Sequence, residues 1–348
     1  MKRNWRITPF DVRNASAGEY RAANELENRI RAEYLPDDPP IPLDEQTRSF
    51  QNIPAFVGVH AWAVRNDDDS QAIASGSVTV TRLETNKHIA EFHIEVLPEF
   101  RRQGLARTLL ARIADAARQE NRTLLITGTN ERVPAGAAFM LRLGARKGLE
   151  NHTNQLDLRD LNRDLIRAWQ ARARERATDF DLGLWEGAYP EEDLQAIVAL
   201  FEVMNTAPRD TLEMEDWRFT VEHLRQMEQQ DLARGTERWT LYAREKATYK
   251  FAGFTEVFWN PNRPQILSQG GTGVFPCYRN KGLGHWLKAA MLEKILHDRP
   301  QVKYIRTGNA DSNAAMLRIN HELGFKPYIS RCVWQVETAR VFQYLSEQ

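Results

Sequence analysis

The stretch "CYRNKGLGHWLKAAML" (residues 277–292) places two glycines, Gly282 and Gly284, directly before a segment with helical apolar spacing. The stretch "EFRRQGLARTLLARIA" (residues 99–114) repeats this layout 178 residues earlier, with alanine at the second glycine position. A repeat this long exceeds the roughly 20–50 residues of solenoid units. The sequence therefore predicts the duplication of a whole domain.

Length and composition agree with two ordinary globular domains. The chain has 348 residues, of which 42% are hydrophobic and 27% charged, and its formal net charge is zero. At roughly 100–200 residues per domain, two domains are expected. A zero net charge argues against a general nucleic-acid binder, which is usually basic.

Targeting signals and cysteine usage indicate a cytoplasmic protein. The polar N-terminal residues lack the apolar core of a signal peptide, and no apolar run is long enough for a membrane span. Cys277 and Cys332 lie far apart in the sequence, so neither a disulfide framework nor a metal site is expected. We expect a reducing compartment, no metal, and neither nucleic acid nor a membrane as a partner.

The two halves show the same order of predicted elements. A charged helix comes first, followed by three strands, the glycine turn, an amphipathic helix, a short strand, and a helix ending in Leu-Gly. The strand before the turn is predicted at 90–96 and 267–274, and the strand after the amphipathic helix at 123–129 and 302–308. We place the boundary at Thr178, which gives a domain 1–178, ending in a helical connector at about 159–178, and a domain 179–348.

The glycine turns indicate a phosphate site. A helix N-terminus leaves backbone N–H groups unpaired and favours an anion, and glycine lets a phosphate approach the backbone. Glycines alone have a simpler explanation as a tight turn, but the repetition after matching strands favours a phosphate-bearing ligand. Neither half has the Walker pattern, and "GLGHWL" at 282–287 lacks the third glycine of the dinucleotide fingerprint.

The turns resemble motif A of the GCN5-related N-acetyltransferase (GNAT) superfamily. The pattern V-x-P-x-x-R-x-x-G-x-G fits "VFPCYRNKGLG" (274–284) throughout and "VLPEFRRQGLA" (96–106) except for its last position. Residues 313–325, "NAAMLRINHELGF", resemble motif B. The resemblance implies an α/β (α+β) fold of two tandem GNAT domains. Each would be a mixed, mostly antiparallel sheet flanked by helices, with a splayed central strand pair. With two such domains in one chain, the sequence most resembles the mycothiol synthase family.

The resemblance also implies acetyl-CoA as co-substrate, bound between the strands 267–274 and 302–308. Thr272, Gly273 and Val274 would bind the pantetheine arm, and the Val274 amide would stabilise the oxyanion. Asn313 would contact the coenzyme. The pyrophosphate would lie on Arg279, Asn280, Lys281, Gly282, Leu283, Gly284 and His285. The matching positions of the first half are Val96, Arg101, Gly104 and Ala106.

Acetyl transfer to an amine needs a general base next to that site, and a general acid for the departing thiolate. Glu256 interrupts an apolar strand and is the first candidate for the base, although a solvated strand face would explain it equally well. Asn320 stands where many family members have a tyrosine that acts as general acid. It could hydrogen-bond the sulfur but not donate a proton. In the first half, Glu91, His93 and Glu95 are explained more simply by a wet sheet face.

The second half keeps both turn glycines, the motif-B asparagine and Leu-Gly-Phe, so we expect it to be catalytic and the first half to be degenerate or structural. The expected reaction is acetyl transfer to a small-molecule amine by direct attack in a ternary complex. A non-catalytic coenzyme A sensor, a mycothiol-synthase-like acetylation of a cysteinyl sugar and acetylation of peptide N-termini remain open. Three acidic residues could attract a cationic amine, but a solvated helix start explains them more simply: Glu213, Glu215 and Asp216.

Overall fold

The computed structural model of the chain describes residues 5–69 and 71–347. The chain forms two compact units, and each combines segments from both sides of Thr178. Unit 1 comprises the described residues of Met1–Glu150, Arg209–Asp216 and Arg331–Gln348; unit 2 comprises Asn151–Pro208 and Trp217–Ser330. The units thus exchange segments across the boundary that the sequence repeat predicts.

The helices and strands follow the predicted order within each repeat, with further elements between them. The first repeat gives β1 (Trp5–Pro9), α1 (Ala17–Tyr34), α2 (Leu43–Gln51), β2 (Val57–Asn66), β3 (Ala72–Thr81), β4 (Ile89–Val96), α3 (Leu105–Gln119), β5 (Leu124–Asn130), α4 (Pro134–Leu143) and β6 (Arg146–Asp157). The connector is α5 (Arg163–Arg176), so its helical nature is as predicted.

The second repeat begins after α5. It gives β7 (Phe180–Glu186), α6 (Leu194–Phe201), α7 (Val221–Ala233), β8 (Glu237–Glu245), β9 (Phe251–Trp259), β10 (Ile266–Val274), α8 (Leu283–Asp298), β11 (Tyr304–Ala310), α9 (Ala314–Leu323), β12 (Lys326–Glu337) and α10 (Thr338–Ser346). Short 3-10 turns precede α3 and α8 and follow α6. None of the helices among the described residues is long and apolar enough to cross a membrane.

Each unit has a six-stranded sheet in which only one neighbouring pair is parallel. In unit 1 the order is β1-β2-β3-β4-β5, completed by residues 331–337 of β12, which pair antiparallel with β5. In unit 2 the order is β7-β8-β9-β10-β11, completed by residues 151–157 of β6, which pair antiparallel with β11. The predicted fold class is confirmed. The exchange arises because the last strand of each repeat donates its second half to the sheet of the other unit.

The parallel pair of each sheet is splayed. β4 pairs with β5 only over residues 89–91 and 124–126, and β10 pairs with β11 only over residues 266–268 and 304–306. Beyond these short ladders the two strands of each pair have no register in common. The resulting split leaves backbone groups of the second half of β4 and β10 available to a ligand, because their hydrogen bonds to a neighbouring strand are not made.

Both helices that follow the glycine turns pack on their sheets through an apolar face. In unit 1, Leu110 and Ile113 of α3 are fully buried against the sheet with Phe92. In unit 2, Leu287 and Met291 of α8 are fully buried in a core that also takes in α5. Burying such side chains stabilises a fold by about 1.5–3 kcal/mol each, so this packing fixes the position of the helix N-termini.

The sheet face on the side away from α3 in unit 1, and away from α8 in unit 2, differs between the two units. In unit 2 that face is filled by an aromatic cluster in which Phe201 and Phe254 lie 4.7 Å apart between ring centroids. A methyl group added at Gly273 would lie 2.6 Å from Val203 Cγ1, so the chain after α6 packs directly on β10. In unit 1 the corresponding space between α1, α2 and the sheet is a cavity of about 340 Å³.

Candidate active site

The turn before α8 has a backbone conformation that requires glycine. Gly282, the N-cap residue, has φ +82°, and Asn280 two residues earlier has φ +66°. A Cβ at Gly282 would meet no atom within 4 Å, so the left-handed backbone, not crowding, demands glycine there. The turn before α3 has the same two conformations, with φ +85° at Gly104 and +65° at Arg102.

The amides around Gly282 form a cradle. The first backbone bond of α8 runs from the Trp286 N–H to the Gly282 carbonyl, with N and O 3.0 Å apart. The N–H groups of residues 280–285 have no hydrogen-bond partner within the part of the chain that the structure describes. These donors converge at the positive end of the helix dipole, and such a site binds phosphate. The arrangement fits the pyrophosphate of acetyl-CoA.

Two basic residues flank this cradle in different ways. Arg279 donates from Nε to the Val274 carbonyl (3.0 Å) and from Nη2 to Thr206 Oγ1 (2.8 Å). Arg279 therefore braces the turn against the end of β10, and its charge is not compensated by any carboxylate among the described residues. Lys281 lies with Nζ 5.1 Å from the ring centroid of Phe180.

The matching arginine of unit 1 is neutralised. Arg101 donates from Nε to the Val96 carbonyl (3.1 Å), which is the same brace. Its two terminal nitrogens lie 2.8 and 2.5 Å from the carboxylate oxygens of Glu33. Because this paired geometry cancels the charge of Arg101, the turn of unit 1 offers an anion less positive potential than the turn of unit 2.

The end of β10 directs one amide into the split. Phe275 N–H donates to the Ala252 carbonyl of β9 (2.9 Å). Successive amides of a strand point in opposite directions, so the Val274 N–H points away from β9, toward the side from which β11 has diverged. A bulge between Gln269 and Thr272 bends β10 at the start of the split. The Val274 N–H is thus placed to meet a ligand in the split, and the roles of Thr272 and Gly273 stay predictions.

Glu256 lies beside that bulge. Its Oε1 accepts a hydrogen bond from the Gly271 N–H at 3.0 Å. Burial, only partly opposed by this hydrogen bond and by the charge of Arg238, raises the pKa of Glu256 to about 7. A carboxylate with a pKa near neutrality is suited to general base catalysis.

A buried polar group stands behind Glu256. Tyr189 Oη and Thr240 Oγ1 lie 3.0 Å apart, and the Arg238 guanidinium lies 3.6 Å from the Tyr189 ring centroid. Arg238 also pairs with Glu228 at 2.5 Å. Burial and the charge of Glu256 raise the pKa of Tyr189, which therefore stays protonated. No sequence pattern indicates this group, because its members come from α7, from β8 and from the loop before α6.

Asn320 is held inside the core of unit 2. The side chain is fully buried; its Oδ1 accepts from Lys288 Nζ at 3.0 Å, and its Nδ2 donates to Asn309 Oδ1 at 2.7 Å. Both amide atoms are thus used inside the core, and a hydrogen bond to the coenzyme sulfur would break this network. The structure therefore argues against a catalytic role for Asn320. The physical reason is Lys288, whose buried amine needs a polar partner.

Lys288 gives a prediction about stability. Burial lowers its pKa from 10.5 to about 7, so between these values the unfolded chain binds a proton that the folded chain does not. Stability should then rise with pH by up to about 1.4 kcal/mol per pH unit between pH 7 and 10.5. Lys288→Met should remove this slope, as measured by urea unfolding at pH 7 and 9. Exposed Lys250→Met should keep it; the same slope in both variants would contradict the assignment.

Asn313 is the N-cap residue of α9. Its side-chain oxygen accepts from the Met316 N–H at 3.3 Å. Capping explains this residue without a ligand, and its contact with the coenzyme stays a prediction.

The turn residue His285 packs against Trp169, with ring centroids 4.4 Å apart. Burial lowers the pKa of His285.

The three acidic residues of the segment before α7 each have a partner in unit 1. Glu215 accepts from the Asn86 N–H at 2.6 Å, and Glu213 pairs with Arg146 at 2.5 Å, both within unit 1. Asp216 pairs with Arg209 at 2.6 Å. These contacts within unit 1 explain the carboxylates without a substrate, and their attraction of a cationic amine stays a prediction.

Comparisons with known proteins give a family match for part of the chain and a similar fold for nearly all of it. Residues 24–145 match the family model described as the acetyltransferase (GNAT) family. A comparison with curated protein sequences finds no significant match. Among solved structures, the chain is similar to a tandem GNAT protein from the clavulanic acid biosynthesis pathway, with 24% identity and a TM-score of 0.76 over 96% of this chain and 98% of that one. A GCN5-related N-acetyltransferase from Sphaerobacter thermophilus aligns at 16% identity, with a TM-score of 0.65 over 95% and 96% of the two chains.

The family model covers less than half of the chain, and the solved structures show its fold. The chain has the fold of a tandem GNAT protein, with one such fold in each unit. The family model matches residues of the first half, the half expected to be degenerate. The first half therefore keeps more of the family pattern than its turn alone indicates.

Proposed function

We propose that the protein transfers the acetyl group of acetyl-CoA to the amine of a small molecule, and that unit 2 carries out the reaction. The observation that carries this proposal is the cradle of unpartnered amides at residues 280–285, which lies after a strand whose end directs Val274 N–H into the split. Glu256 lies beside the same strand. The coenzyme would be held by residues 279–285, with its pantetheine arm along residues 272–274.

Each step of the proposed reaction is assigned to a group in unit 2 or to water. Acetyl-CoA supplies an acetyl group activated as a thioester. Val274 N–H would donate to the carbonyl oxygen as negative charge develops there. Glu256 would take the proton that the attacking amine must lose, directly or through water, and the raised pKa allows it to hold that proton at neutral pH. With Asn320 committed to the core, water is the proton donor to the departing thiolate.

The space beside Glu256 favours a small acceptor. The aromatic cluster around Phe254 and the contact between Val203 and β10 fill most of that face of unit 2. A small primary amine is therefore favoured over a peptide, which needs an extended groove. A cysteinyl sugar, as in the mycothiol synthase family, remains within this proposal.

The free thiols of Cys277 and Cys332 support a cytoplasmic location.

A second candidate function is a non-catalytic coenzyme A sensor. The observation in its favour is Asn320, which stands at the acid position of the family and is locked to Lys288 and Asn309. Such a protein would bind the coenzyme at the cradle and release no free thiol.

Release of coenzyme A thiol from acetyl-CoA tests the proposal. The protein is incubated with acetyl-CoA and, separately, with polyamines, aminoglycosides, amino acids and cysteinyl sugars. We expect at least one class to accelerate thiol release at least tenfold over the rate without amine. Tight binding of coenzyme A by calorimetry, with no acceleration by any class, would support the sensor instead. Absence of binding would contradict both.

A further inference from the structure

Three polar side chains of unit 2 form a hydrogen-bonded chain outside the site described above. His152 lies on β6, Asp311 directly follows β11, and Ser330 lies on β12. His152 Nδ1 and Asp311 Oδ1 lie 2.6 Å apart, and His152 Nε2 and Ser330 Oγ lie 3.2 Å apart. A serine, a histidine and an aspartate are thus connected in this order, with the imidazole in the middle.

The carboxylate of Asp311 fixes the tautomer of His152. His152 is the ion-pair partner of Asp311 among the described residues. An ionised carboxylate only accepts hydrogen bonds, so Nδ1 of His152 carries the hydrogen. In a neutral imidazole the other nitrogen is then an acceptor, and Nε2 is the nitrogen next to Ser330 Oγ. His152 is therefore set to take a proton from the serine hydroxyl.

This geometry is that of an activated serine nucleophile. Serine catalysis needs the hydroxyl within about 2.6–3.2 Å of a base, and a third group that orients the base from its other side. Both distances meet this requirement. The side chains of His152 and Asp311 are 31% and 44% exposed, so the chain of groups is open to solvent and a substrate carbonyl can reach it.

The fold common to both repeats does not explain the carboxylate. His152 and Ser330 occupy equivalent positions of the repeat, 178 residues apart. Val133 stands in the first repeat at the position of Asp311. The acidic member is therefore particular to the second repeat, where it orients the histidine.

Backbone donors lie next to Asp311. The N–H groups of Ser312 and Ala315 have no hydrogen-bond partner in the part of the chain that the structure describes. Ala315 is in the first turn of α9, where the positive end of the helix dipole favours negative charge. Such amides are the donors that stabilise the oxyanion of acyl transfer in serine enzymes.

We propose that Ser330 is the nucleophile of a second activity, the hydrolysis of small carboxylic esters, with His152 as base and Asp311 as the positioning residue. Ser330 Oγ forms a bond to the ester carbonyl carbon as its proton moves to His152 Nε2. The bond to the alcohol oxygen then breaks, and the alcohol leaves with the proton from His152. Water, which gives a proton to His152, cleaves the acyl-serine to the carboxylic acid and restores Ser330.

This activity goes beyond the proposed acetyl transfer. β6 borders β11 on the edge opposite to β10, so His152 lies on the side of β11 away from the split. The reaction uses neither the cradle at residues 280–285 nor Glu256, and it needs no coenzyme. Its failure would leave the proposal for acetyl transfer intact.

The test is hydrolysis of p-nitrophenyl acetate by the full chain without coenzyme, followed by p-nitrophenol release. Ser330→Ala and His152→Gln should each lower kcat/KM at least tenfold. Asp311→Asn should lower kcat at least fivefold and leave KM within twofold, because it removes the orienting charge and not a substrate contact. Ser268→Ala, at an exposed serine of β10, should stay within twofold of the original.

Covalent labelling gives a readout that needs no variant. A fluorophosphonate reacts with activated serines, and peptide mass spectrometry of the labelled original protein should place it on Ser330 and not on Ser268. Thermal unfolding shows whether each variant is folded. The proposal is overturned if Ser330 is not labelled, or if folded Ser330→Ala hydrolyses the ester like the original protein. It is also overturned if His152→Gln alone lowers the rate, since the imidazole would then attack the ester itself.

Discussion

Gly282→Val is expected to reduce acetyl transfer by about a hundredfold or more. A β-branched residue at φ +82° is strained by about 1–2 kcal/mol, so the turn shifts to relieve the strain. The shift moves the amides of residues 280–285 away from the phosphate, and displacement of a positioned reactant by about 1 Å costs on the order of a hundredfold. Steady-state thiol release and calorimetry with coenzyme A measure the two effects.

Two control variants isolate the cause. Asn tolerates the left-handed conformation better than other residues with side chains, so Gly282→Asn should keep much more activity than Gly282→Val. Gly104→Val imposes the same strain at the turn of unit 1, where φ is +85°. If unit 2 is catalytic, Gly104→Val should leave turnover within about threefold of the original. Loss of turnover on Gly104→Val, but not on Gly282→Val, would show that unit 1 is the catalytic one.

The sequence predicted the repeated parts of the fold well. The strand, turn and helix around Gly282 have a short-range pattern in which glycine position, apolar period and motif agree. The splayed strand pair followed from the family resemblance, and the ladders of three residues confirm it. These features depend on residues that are close together in the sequence, so a single sequence is enough to predict them.

The exchange of segments could not be predicted in the same way. β6 and β12 are long strands whose halves pair in different units, and the segment 209–216 joins unit 1 through Glu213 and Glu215. Nothing in strand periodicity distinguishes a strand that ends in one sheet from a strand that continues into another. A boundary placed at Thr178 from the repeat therefore misses these long-range pairings.

Sequence patterns also could not predict the buried polar networks. Lys288 lies in the apolar stripe of α8, and that interruption was the one available signal of a buried amine. Its partner Asn320 was assigned a role in chemistry because the family position suggested it. The unit 1 cavity was missed because Glu27, Gln46 and Glu95 come from three elements, and the wet-face interpretation of Glu95 took no account of what α1 and α2 bring opposite it.

The two units have diverged in complementary ways. Unit 2 keeps an uncompensated arginine at its turn and a bulge in β10, but the sheet face opposite α8 is filled with aromatic side chains. Unit 1 has its arginine neutralised by Glu33 and a β4 ladder without a bulge, but an open, acidic cavity. Duplication allows this division, because one copy can lose a property that the other retains. The uncompensated turn and the open cavity are therefore found in different copies.

Glu256→Gln is expected to lower kcat by about a hundredfold to ten-thousandfold, the contribution of a general base. Glutamine keeps an oxygen for the Gly271 N–H, so the bulge should survive, but it cannot take a proton from the amine. Because burial raises the pKa of Glu256 to about 7, the original enzyme should gain about tenfold in rate per pH unit below that value and level off above it. The variant should lose this dependence.

Stability supplies the independent check on Glu256. Its folded pKa lies above its ordinary value of 4.5, so its stabilising contribution is fully present below pH 4.5 and is lost as the pH rises through about 7. Glu256→Gln should therefore be more stable than the original at pH 8, by an amount on the order of 3 kcal/mol, and no more stable at pH 4.5. The exposed Glu192→Gln should change neither stability nor rate. A variant with the predicted gain in stability but unchanged kcat and pH profile would show that Glu256 is buried without being the base, and that water or another group accepts the proton.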